Sequence, residues 1–273
     1  KVLTQWVSNL DAFKIHISST PSVIDPQHSN NLSVNGDVGL MCERLIPLVR
    51  ASSKEWLLSW QKAETAAQKA IAAWTAENFS EPTVARVLTS SLAVGEQLVI
   101  SSSMPIRDVE WFGSVTSGVT VHSNRGANGI DGVVSTAVGV ALGSGSPTSL
   151  LIGDLALLHD VNGLLALNRR TLDMSIVVTN NDGGSIFSFL PQAEHLDRAT
   201  FELLYGTPHG VSFEHVAKTY GLSYFCATDE ESLRFALAQS GTKIVEVVLD
   251  RTVNVSQHDE LNSSIAAAVI ATA

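Results

Sequence analysis

The sequence predicts an α/β fold in which helices cover both faces of a parallel sheet, and three observations support this prediction. Short apolar strands alternate with helical segments along most of the 273 residues. The strands are unbroken apolar runs, as in Ser149–Ile152 and Met174–Thr179, which is typical of strands buried on both faces. Hydrophobic residues make up 45% and charged residues 16% of the chain, a composition typical of globular domains.

Charge and cysteine content exclude several classes of function. The formal net charge is −10 and the chain has no basic run, so we expect no nucleic-acid partner. No apolar run reaches the ~18–20 residues of a membrane-spanning helix. Cys42 and Cys226 form neither a disulfide framework nor a metal cage, and they favour reducing surroundings.

Residues 1–50 are interpreted as the end of one domain. They alternate short apolar runs with turns, and they predict a strand at Phe13–Ile17, turns over Ser18–Gly36 and a helix from Val38. The chain starts at Lys1, with no Met and no leader pattern, so we expect it to be part of a longer protein.

A linker helix is predicted over residues 51–78, and residues 79–273 then form a second domain. Ser52 and Glu55 match a capping box at the start of this helix. An apolar stripe along the helix is expected to pack as core. The stripe consists of Trp56, Trp60, Ala63, Ala67, Ile71 and Trp74.

Within residues 79–273, predicted strands and helices alternate. The strands are Gln97–Ile100, Thr120–His122, Ser149–Ile152, Met174–Thr179, Tyr224–Cys226 and Lys243–Leu249. Helices are predicted from Ser80, Val133, Leu155, Ser212 and Thr228, with Thr228 and Glu231 forming a capping box, and a last helix closes the chain. Ligands of such sheets bind beyond the carboxyl ends of the strands, so functional residues are expected in the loops there.

Two of these loops have a spacing that brings them together. The first is Gly153–Leu155 and the second is Asn180–Gly184, with 24 residues between Leu155 and Asn180. One helix and one strand fill that interval. The second loop therefore returns beside the first, at the same edge of the sheet.

The residue types in these loops favour a metal ion and a diphosphate. Asp154 offers a carboxylate oxygen and Asn181 an amide oxygen, while the turn permitted by Gly183 and Gly184 offers a backbone carbonyl. Mg²⁺ prefers such oxygens together with water and phosphate. Gly153 and the start of the next helix add N–H groups for a diphosphate. Asp154 is expected to be a loop ligand outside the core; the alternative is an ordinary loop in which Asp154 caps a helix.

The pattern Gly-Asp-x followed by Asn-Asn resembles the diphosphate signature of thiamine-diphosphate enzymes. Further segments resemble one family of these enzymes, the synthases that form 2-succinyl-5-enolpyruvyl-6-hydroxy-3-cyclohexene-1-carboxylate (SEPHCHC). Ser123–Gly132 and Gly206–His215 are similar to that family, and so is Leu155 in place of the usual Gly. Lys1–Trp6 looks like the end of the family's middle domain.

The resemblance implies a set of cofactor contacts. The family's metal ligands fall on Asp154, Asn181 and the carbonyl of Gly183, for Mg²⁺ or alternatively Mn²⁺. Ile130 stands where the family has a large apolar residue that bends the cofactor, although simple packing is the other interpretation. The further cofactor contacts are Gly153, Leu155, Gly184, Ile186, Phe187 and Leu190, the last three forming an apolar wall.

The family's substrates are 2-oxoglutarate and isochorismate, and both are dicarboxylates. Arg107, Arg125 and Ser103 match its substrate-binding residues, and an arginine can grip a carboxylate with two hydrogen bonds. Lys1 matches a basic residue of the middle domain. The histidines lack metal-ligand spacing and are expected to be packed or exposed, with His209 the one most worth testing.

The implied reaction is decarboxylation of 2-oxoglutarate followed by conjugate addition of the succinyl group to isochorismate, with thiamine diphosphate and Mg²⁺. In this superfamily a glutamate of a separate pyrimidine-binding domain activates the cofactor, and nothing in this chain resembles that domain. We therefore expect the domain to come from another subunit of a homodimer or homotetramer, and the chain alone to be inactive.

Other interpretations remain open. One is another thiamine-diphosphate enzyme of the acetohydroxyacid synthase or 2-oxoacid decarboxylase type. The other is a non-catalytic binding or assembly module. A plastid is the favoured location if the source is a plant, and the cytoplasm otherwise.

Overall fold

The computed structural model describes residues 2–21, 25–51, 53–124, 129–167 and 170–272. The chain divides into two compact units, Lys1–Leu58 and Ser59–Ala273, which we call the first and second units. None of the helices in the described ranges combines the length and apolarity needed to cross a bilayer.

The first unit pairs two short parallel strands. Its elements are α1 (Val2–Asn9), β1 (Ile15–Ser18), β2 (Leu32–Asn35), α2 (Val38–Leu45) and a 3₁₀ turn at Ile46–Leu48. β1 begins two residues later than predicted, and β2 lies in the segment predicted as turns, because its pairing with β1 outweighs its polar sequence. Asp37 caps α2 by accepting a hydrogen bond from the N–H of Leu40 at 2.8 Å.

The remaining elements begin at Glu55 and include six strands. They are α3 (Glu55–Glu77), α4 (Glu81–Ser91), β3 (Gln97–Ile100), α5 (Met104–Phe112), β4 (Thr120–Ser123), α6 (Val133–Ser144), β5 (Thr148–Gly153), α7 (Asp154–His159), β6 (Met174–Asn180), α8 (Gln192–His195), α9 (Arg198–Phe201), α10 (Phe213–Tyr220), β7 (Ser223–Ala227), α11 (Glu230–Leu237), β8 (Thr242–Val248) and α12 (Asn254–Ile270). Short 3₁₀ segments lie at Val161–Leu167 and Ser185–Phe189, and a π-helical turn lies at Glu202–Gly206.

The second unit contains the predicted parallel sheet. Its six strands are ordered β4-β3-β5-β6-β8-β7, and all neighbours run parallel. The chain leaves β3 towards β4 on one side and leaves β5 towards β6 on the other. The loops after β3 and β5 therefore diverge, which makes this point of the sheet the place where a ligand is expected.

Helices cover both faces of the sheet, as predicted. On one face, Leu150 and Ile176 pack with α6, α7 and α10 in one apolar cluster. On the other face, Leu151 and Val177 pack with α4 and α11 in a second cluster. Because successive residues of a strand point to opposite faces, each apolar strand contributes to both clusters.

Four local predictions are corrected by the structure. The segment after β3, predicted as a loop, forms α5, and the helix predicted at residues 155–168 is the six-residue α7 followed by a 3₁₀ segment. The cap of α11 is Asp229 with Ser232, because Asp229 directly precedes the first turn. Of the apolar stripe on α3, Ile71 packs against Phe112 and Leu261 as predicted. Trp56 and Trp60 are 71% and 53% exposed, and so they are not core.

Candidate cofactor-binding site

Asp154 joins the two loops that the sequence predicts to meet. It is the first residue of α7 and is only 2% exposed, so the expectation of a loop residue outside the core is wrong. Its Oδ2 accepts hydrogen bonds from the N–H groups of Asn181 at 3.1 Å and Gly183 at 2.9 Å. Its Oδ1 accepts from the N–H of Leu155 at 2.6 Å. The carboxylate therefore holds the loop after β6 against the loop after β5.

The turn at Gly183 and Gly184 requires glycine at both positions. Gly183 has a φ of 141°, and a Cβ there would overlap the carbonyl oxygen of Gly206. A Cβ at Gly184 would overlap the carbonyl oxygen of Tyr205, while its N–H donates to the Gly206 carbonyl at 2.8 Å. This close approach of two backbones explains the paired glycines that follow the asparagines.

A guanidinium group braces the same turn from the end of β8. Arg251 donates one hydrogen bond to the Gly206 carbonyl at 2.8 Å and another to Glu202 Oε2 at 2.5 Å. The preceding residue of the turn, Asp182, accepts from the N–H groups of Gly210 and His209 at 2.8 and 2.9 Å. These hydrogen bonds hold the pKa of Asp182 below its usual value.

Asn181 presents an oxygen that no described residue uses. The side chain is 9% exposed, its Nδ2 donates to Glu81 Oε1 at 2.7 Å, and its Oδ1 is buried without a hydrogen-bond partner in the described part of the chain. Buried polar atoms are usually satisfied, so this unused amide oxygen is a candidate to bind a ligand. A free amide oxygen next to a carboxylate fits Mg²⁺ or Mn²⁺.

A network of buried polar side chains lies behind Asn181. Asp108 and His258 are 2% and 1% exposed and are joined by a 2.9 Å contact between Oδ1 and Nε2. The His258 Nδ1 lies 2.8 Å from the carbonyl of Asn254, whose Nδ2 donates to Ser185 Oγ at 2.6 Å. The network therefore reaches the glycine turn from behind.

Burial changes the protonation behaviour of this network. Burial and the nearby charge of Asp108 raise the pKa of Glu81 to about 7, although its hydrogen bond from Asn181 opposes the shift. Burial opposes protonation of His258, but the hydrogen bond and charge of Asp108 outweigh it and raise the pKa of His258. No local sequence signal marks Glu81, Asp108 or His258 as members of one site, because they come from three distant helices.

His209 faces the predicted metal ligand. Its Nε2 is buried and lies 3.3 Å from Asp154 Oδ2, and its Nδ1 accepts from the N–H of Val211 at 3.0 Å. Ile130, which the family resemblance implies is a cofactor contact, is half-buried and packs against the core cluster beside α6. Ile130 therefore packs against the core, which was the alternative interpretation; its proposed contact with the cofactor stays a prediction.

Two of the predicted substrate residues, Ser103 and Arg107, follow β3. Arg107 lies in the first turns of α5, where its Nη1 donates to the carbonyl of Ser103. Ser103 has a φ of 78°, and the hydroxyl of Ser101 is buried without a partner among the described residues. Both features lie at the point where the loops after β3 and β5 diverge. Arg125 and Lys1 lie outside the described residues.

The predicted apolar wall is only partly buried. Ile186 and Phe187 belong to the 3₁₀ segment Ser185–Phe189 and are half-buried, and Leu190 is 41% exposed. Phe187 packs edge-on against Tyr205 with ring centroids 5.4 Å apart.

Among the described residues, no three His, Cys, Asp or Glu side chains cluster as a metal site. The predicted ligand set, one carboxylate with an amide and a backbone carbonyl, needs no such cluster.

The chain matches a known domain family over residues 113–250, namely "Thiamine pyrophosphate enzyme, C-terminal TPP binding domain". It therefore belongs to the thiamine pyrophosphate enzymes and carries their C-terminal cofactor-binding domain. The relatives that it resembles are named 2-succinyl-5-enolpyruvyl-6-hydroxy-3-cyclohexene-1-carboxylate synthases. The family resemblance stated from the sequence is thereby confirmed.

Two bacterial relatives show the extent of the match. The protein of Myxococcus xanthus is 40% identical over 276 residues, which cover 98% of this chain and 47% of that protein. The protein of Chloroflexus aurantiacus is 44% identical over 227 residues, which cover 80% of this chain and 38% of that protein. The chain spans about half the length of such relatives or less. Their bacterial origin gives no support to a plastid location.

A solved structure has the same fold. The benzoylformate decarboxylase of Polynucleobacter necessarius aligns with a TM-score of 0.65 at 16% identity, covering 88% of this chain and 45% of that protein. At this identity the likeness concerns the fold alone.

Proposed function

We propose that this chain supplies the diphosphate- and metal-binding part of a SEPHCHC synthase. The observation that carries the proposal is the unused Oδ1 of Asn181, in the loop after β6 that Asp154 holds in place. The similarity of the chain to such synthases supports it. Asp154, Asn181 and the Gly183 carbonyl would hold Mg²⁺ or Mn²⁺. The loop of Gly153 and Leu155, together with Gly184, would contact the diphosphate.

The remaining site residues would shape the space for the cofactor and substrates. Ile130 would support the bent cofactor, and Ile186, Phe187 and Leu190 would exclude water from one side of the site. Arg107, Arg125 and Ser103 would hold the carboxylates of 2-oxoglutarate and isochorismate, because a guanidinium group forms paired hydrogen bonds with a carboxylate. Thiamine diphosphate, when bound, would supply the carbanion chemistry of decarboxylation and conjugate addition.

The complete site would need a second polypeptide surface. We propose that the pyrimidine-binding domain of another subunit, in a homodimer or homotetramer, supplies the glutamate that activates the cofactor. Residues 1–273 would then bind thiamine diphosphate but would not consume 2-oxoglutarate. Turnover by these residues alone, near that of a complete synthase, would contradict this part of the proposal.

Arg107 tests the assignment of the substrate. In the complete enzyme, Arg107→Ala is expected to weaken turnover of the two dicarboxylates by about 2–5 kcal/mol, the usual loss when one member of a buried charge pair is removed. The affinity for thiamine diphosphate should change less than about twofold, because Arg107 contacts the Ser103 carbonyl and none of the predicted metal ligands. Normal turnover combined with lost cofactor binding would reverse the assigned roles.

A further inference from the structure

Two consecutive asparagines at the end of β6 are each held by a buried glutamate. Asn180 Nδ2 donates to Glu246 Oε1 at 2.6 Å, and Asn181 Nδ2 donates to Glu81 Oε1 at 2.7 Å. Glu246 and Glu81 are 5% and 3% exposed. The two pairs therefore have nearly the same local chemistry on adjacent residues.

The two asparagines differ in what their oxygens do. Asn180 Oδ1 accepts from the N–H of Asp182 at 3.1 Å, so that side chain is satisfied within the loop. Asn181 Oδ1 has no such donor among the described residues. Because the amide nitrogen of Asn181 points to Glu81, its oxygen is the end left for a ligand.

Glu81 is well placed to hold an amide still. It is the first residue of α4, where Val84 and Leu88 are fully buried in the core cluster. Its neighbours include the Asp108–His258 pair, whose hydrogen bonds continue through Asn254 to Ser185 behind the glycine turn. A side chain fixed by packing and by further hydrogen bonds is what keeps a ligand in one orientation.

We propose that Glu81 is a positioning residue of the metal site: by accepting the Asn181 Nδ2–H it directs Asn181 Oδ1 towards the cation. The inference deepens the proposed function and rests on Asn181 being a metal ligand. Glu246, which holds the neighbouring asparagine, provides the matched control.

The test measures the affinity of the complete chain for Mn²⁺ by electron paramagnetic resonance, at a fixed concentration of thiamine diphosphate. Glu81→Met removes the acceptor but keeps the length of the side chain, and it is expected to weaken Mn²⁺ binding about 10–100-fold. Glu81→Gln can still accept through its amide oxygen and should stay within about threefold of the wild type. Glu246→Met is expected to lower the melting temperature and to change Mn²⁺ affinity less than about threefold.

The variant Glu81→Asp tests whether a loss of Mn²⁺ affinity could come from misfolding. Glu81→Asp keeps a buried carboxylate but retracts it by one methylene, so it should lose Mn²⁺ affinity while far-UV circular dichroism stays that of the wild type. In the double variant Glu81→Met with Asn181→Ala, the loss should equal that of Asn181→Ala alone within about threefold, because Glu81 acts through Asn181.

The outcomes separate this inference from the proposed function. If Asn181→Ala keeps its Mn²⁺ affinity, Asn181 is not a ligand, and both the metal assignment and the inference are wrong. If Asn181→Ala loses affinity while folded Glu81→Met and Glu81→Asp keep it, only the inference is overturned. Equal losses in the Glu81→Met and Glu246→Met variants would also overturn it, because they would indicate a general effect on the loop.

Discussion

The two ends of the six-stranded parallel sheet differ in how nearby buried polar atoms are satisfied. We call the side where the strands end the carboxyl edge and the side where they begin the amino edge. At the carboxyl edge lie all four buried side-chain atoms that have no hydrogen-bond partner in the described part of the chain: Ser101 Oγ, Asn181 Oδ1, His209 Nε2 and Asn254 Oδ1. At the amino edge, the buried Lys243 donates to the carbonyl groups of Gln239 and Gly241. Free hydrogen-bonding capacity is therefore concentrated at one edge, where a polar ligand can use it.

Backbone strain follows the same division. Within the described part of the second unit, the non-glycine residues with positive φ are Ser103, Asp182 and Thr207, at 78°, 56° and 44°. All three belong to loops that build the carboxyl edge. At the amino edge, the positive φ of 86° is taken by a glycine, Gly241. Unsatisfied buried atoms and strained backbone therefore both occur at the carboxyl edge, where a ligand is expected, and the amino edge is relaxed.

Replacing one aspartate by alanine at each edge should give the largest difference in cofactor affinity between the two edges. Asp154→Ala is expected to weaken binding of Mg²⁺ and thiamine diphosphate by more than about 100-fold, because it would remove a proposed metal ligand and not only a supporting group. It should also lower the free energy of unfolding by about 1–3 kcal/mol, since three N–H groups lose their acceptor.

The matched change at the amino edge is Asp173→Ala. Asp173 Oδ1 accepts from the N–H of Gly241 at 3.1 Å and lies 4.0 Å from Lys243 Nζ. Calorimetric titration should show cofactor affinity within about twofold of the wild type, with only a loss of stability in urea. Comparable losses of affinity in both variants would remove the functional difference between the edges.

Glycine replacements should give the next largest effect. Gly183→Ala places a Cβ against the Gly206 carbonyl at a φ of 141°, so we expect about 1–3 kcal/mol of lost stability and about tenfold weaker cofactor binding. Gly241→Ala has a φ of 86° but open space around its Cβ, and should cost about 1–2 kcal/mol without changing cofactor binding. Urea unfolding and calorimetry on both variants would decide whether strain and binding separate in this way.

The smallest expected effect concerns Lys243. Burial lowers the pKa of Lys243 from its usual 10.5, against the opposing charge of Asp173. The neutral form is therefore more favoured in the folded than in the unfolded state, so its contribution to stability is full above pH 10.5 and is lost as the pH falls through the lowered value. The wild type should therefore gain stability relative to Lys243→Met as the pH rises towards 10.5, and this is the smallest of the effects expected here.

Denaturant unfolding of both proteins between neutral and alkaline pH measures this difference. Cofactor affinity should be the same in the two proteins, because Lys243 lies at the edge opposite Asp154. A stability difference that does not change with pH would mean that the pKa of Lys243 is unperturbed.

The parallel sheet and the meeting of its two loops could be predicted from local patterns in the sequence. Apolar runs such as Met174–Thr179 can be satisfied only between two layers of helices, and parallel strands put Asp154 and Asn181 at one edge wherever the intervening helix packs. The same local logic did not find α5, whose start at Met104–Pro105 lacks a side-chain cap, or the polar strand β2.

The residues that support the site could not be predicted from local patterns, because they come from distant parts of the chain. Glu81 meets Asn181 across 100 positions of the chain, and His258 meets Asp108 across 150. Such contacts arise from the packing of α4, α5 and α12, and no periodicity within one segment encodes them. The buried carboxylate of Glu81 accepts from the amide nitrogen of Asn181, and so the amide oxygen is the end that stays free. This orientation is fixed because a buried hydrogen bond is far more costly to lose than one in water.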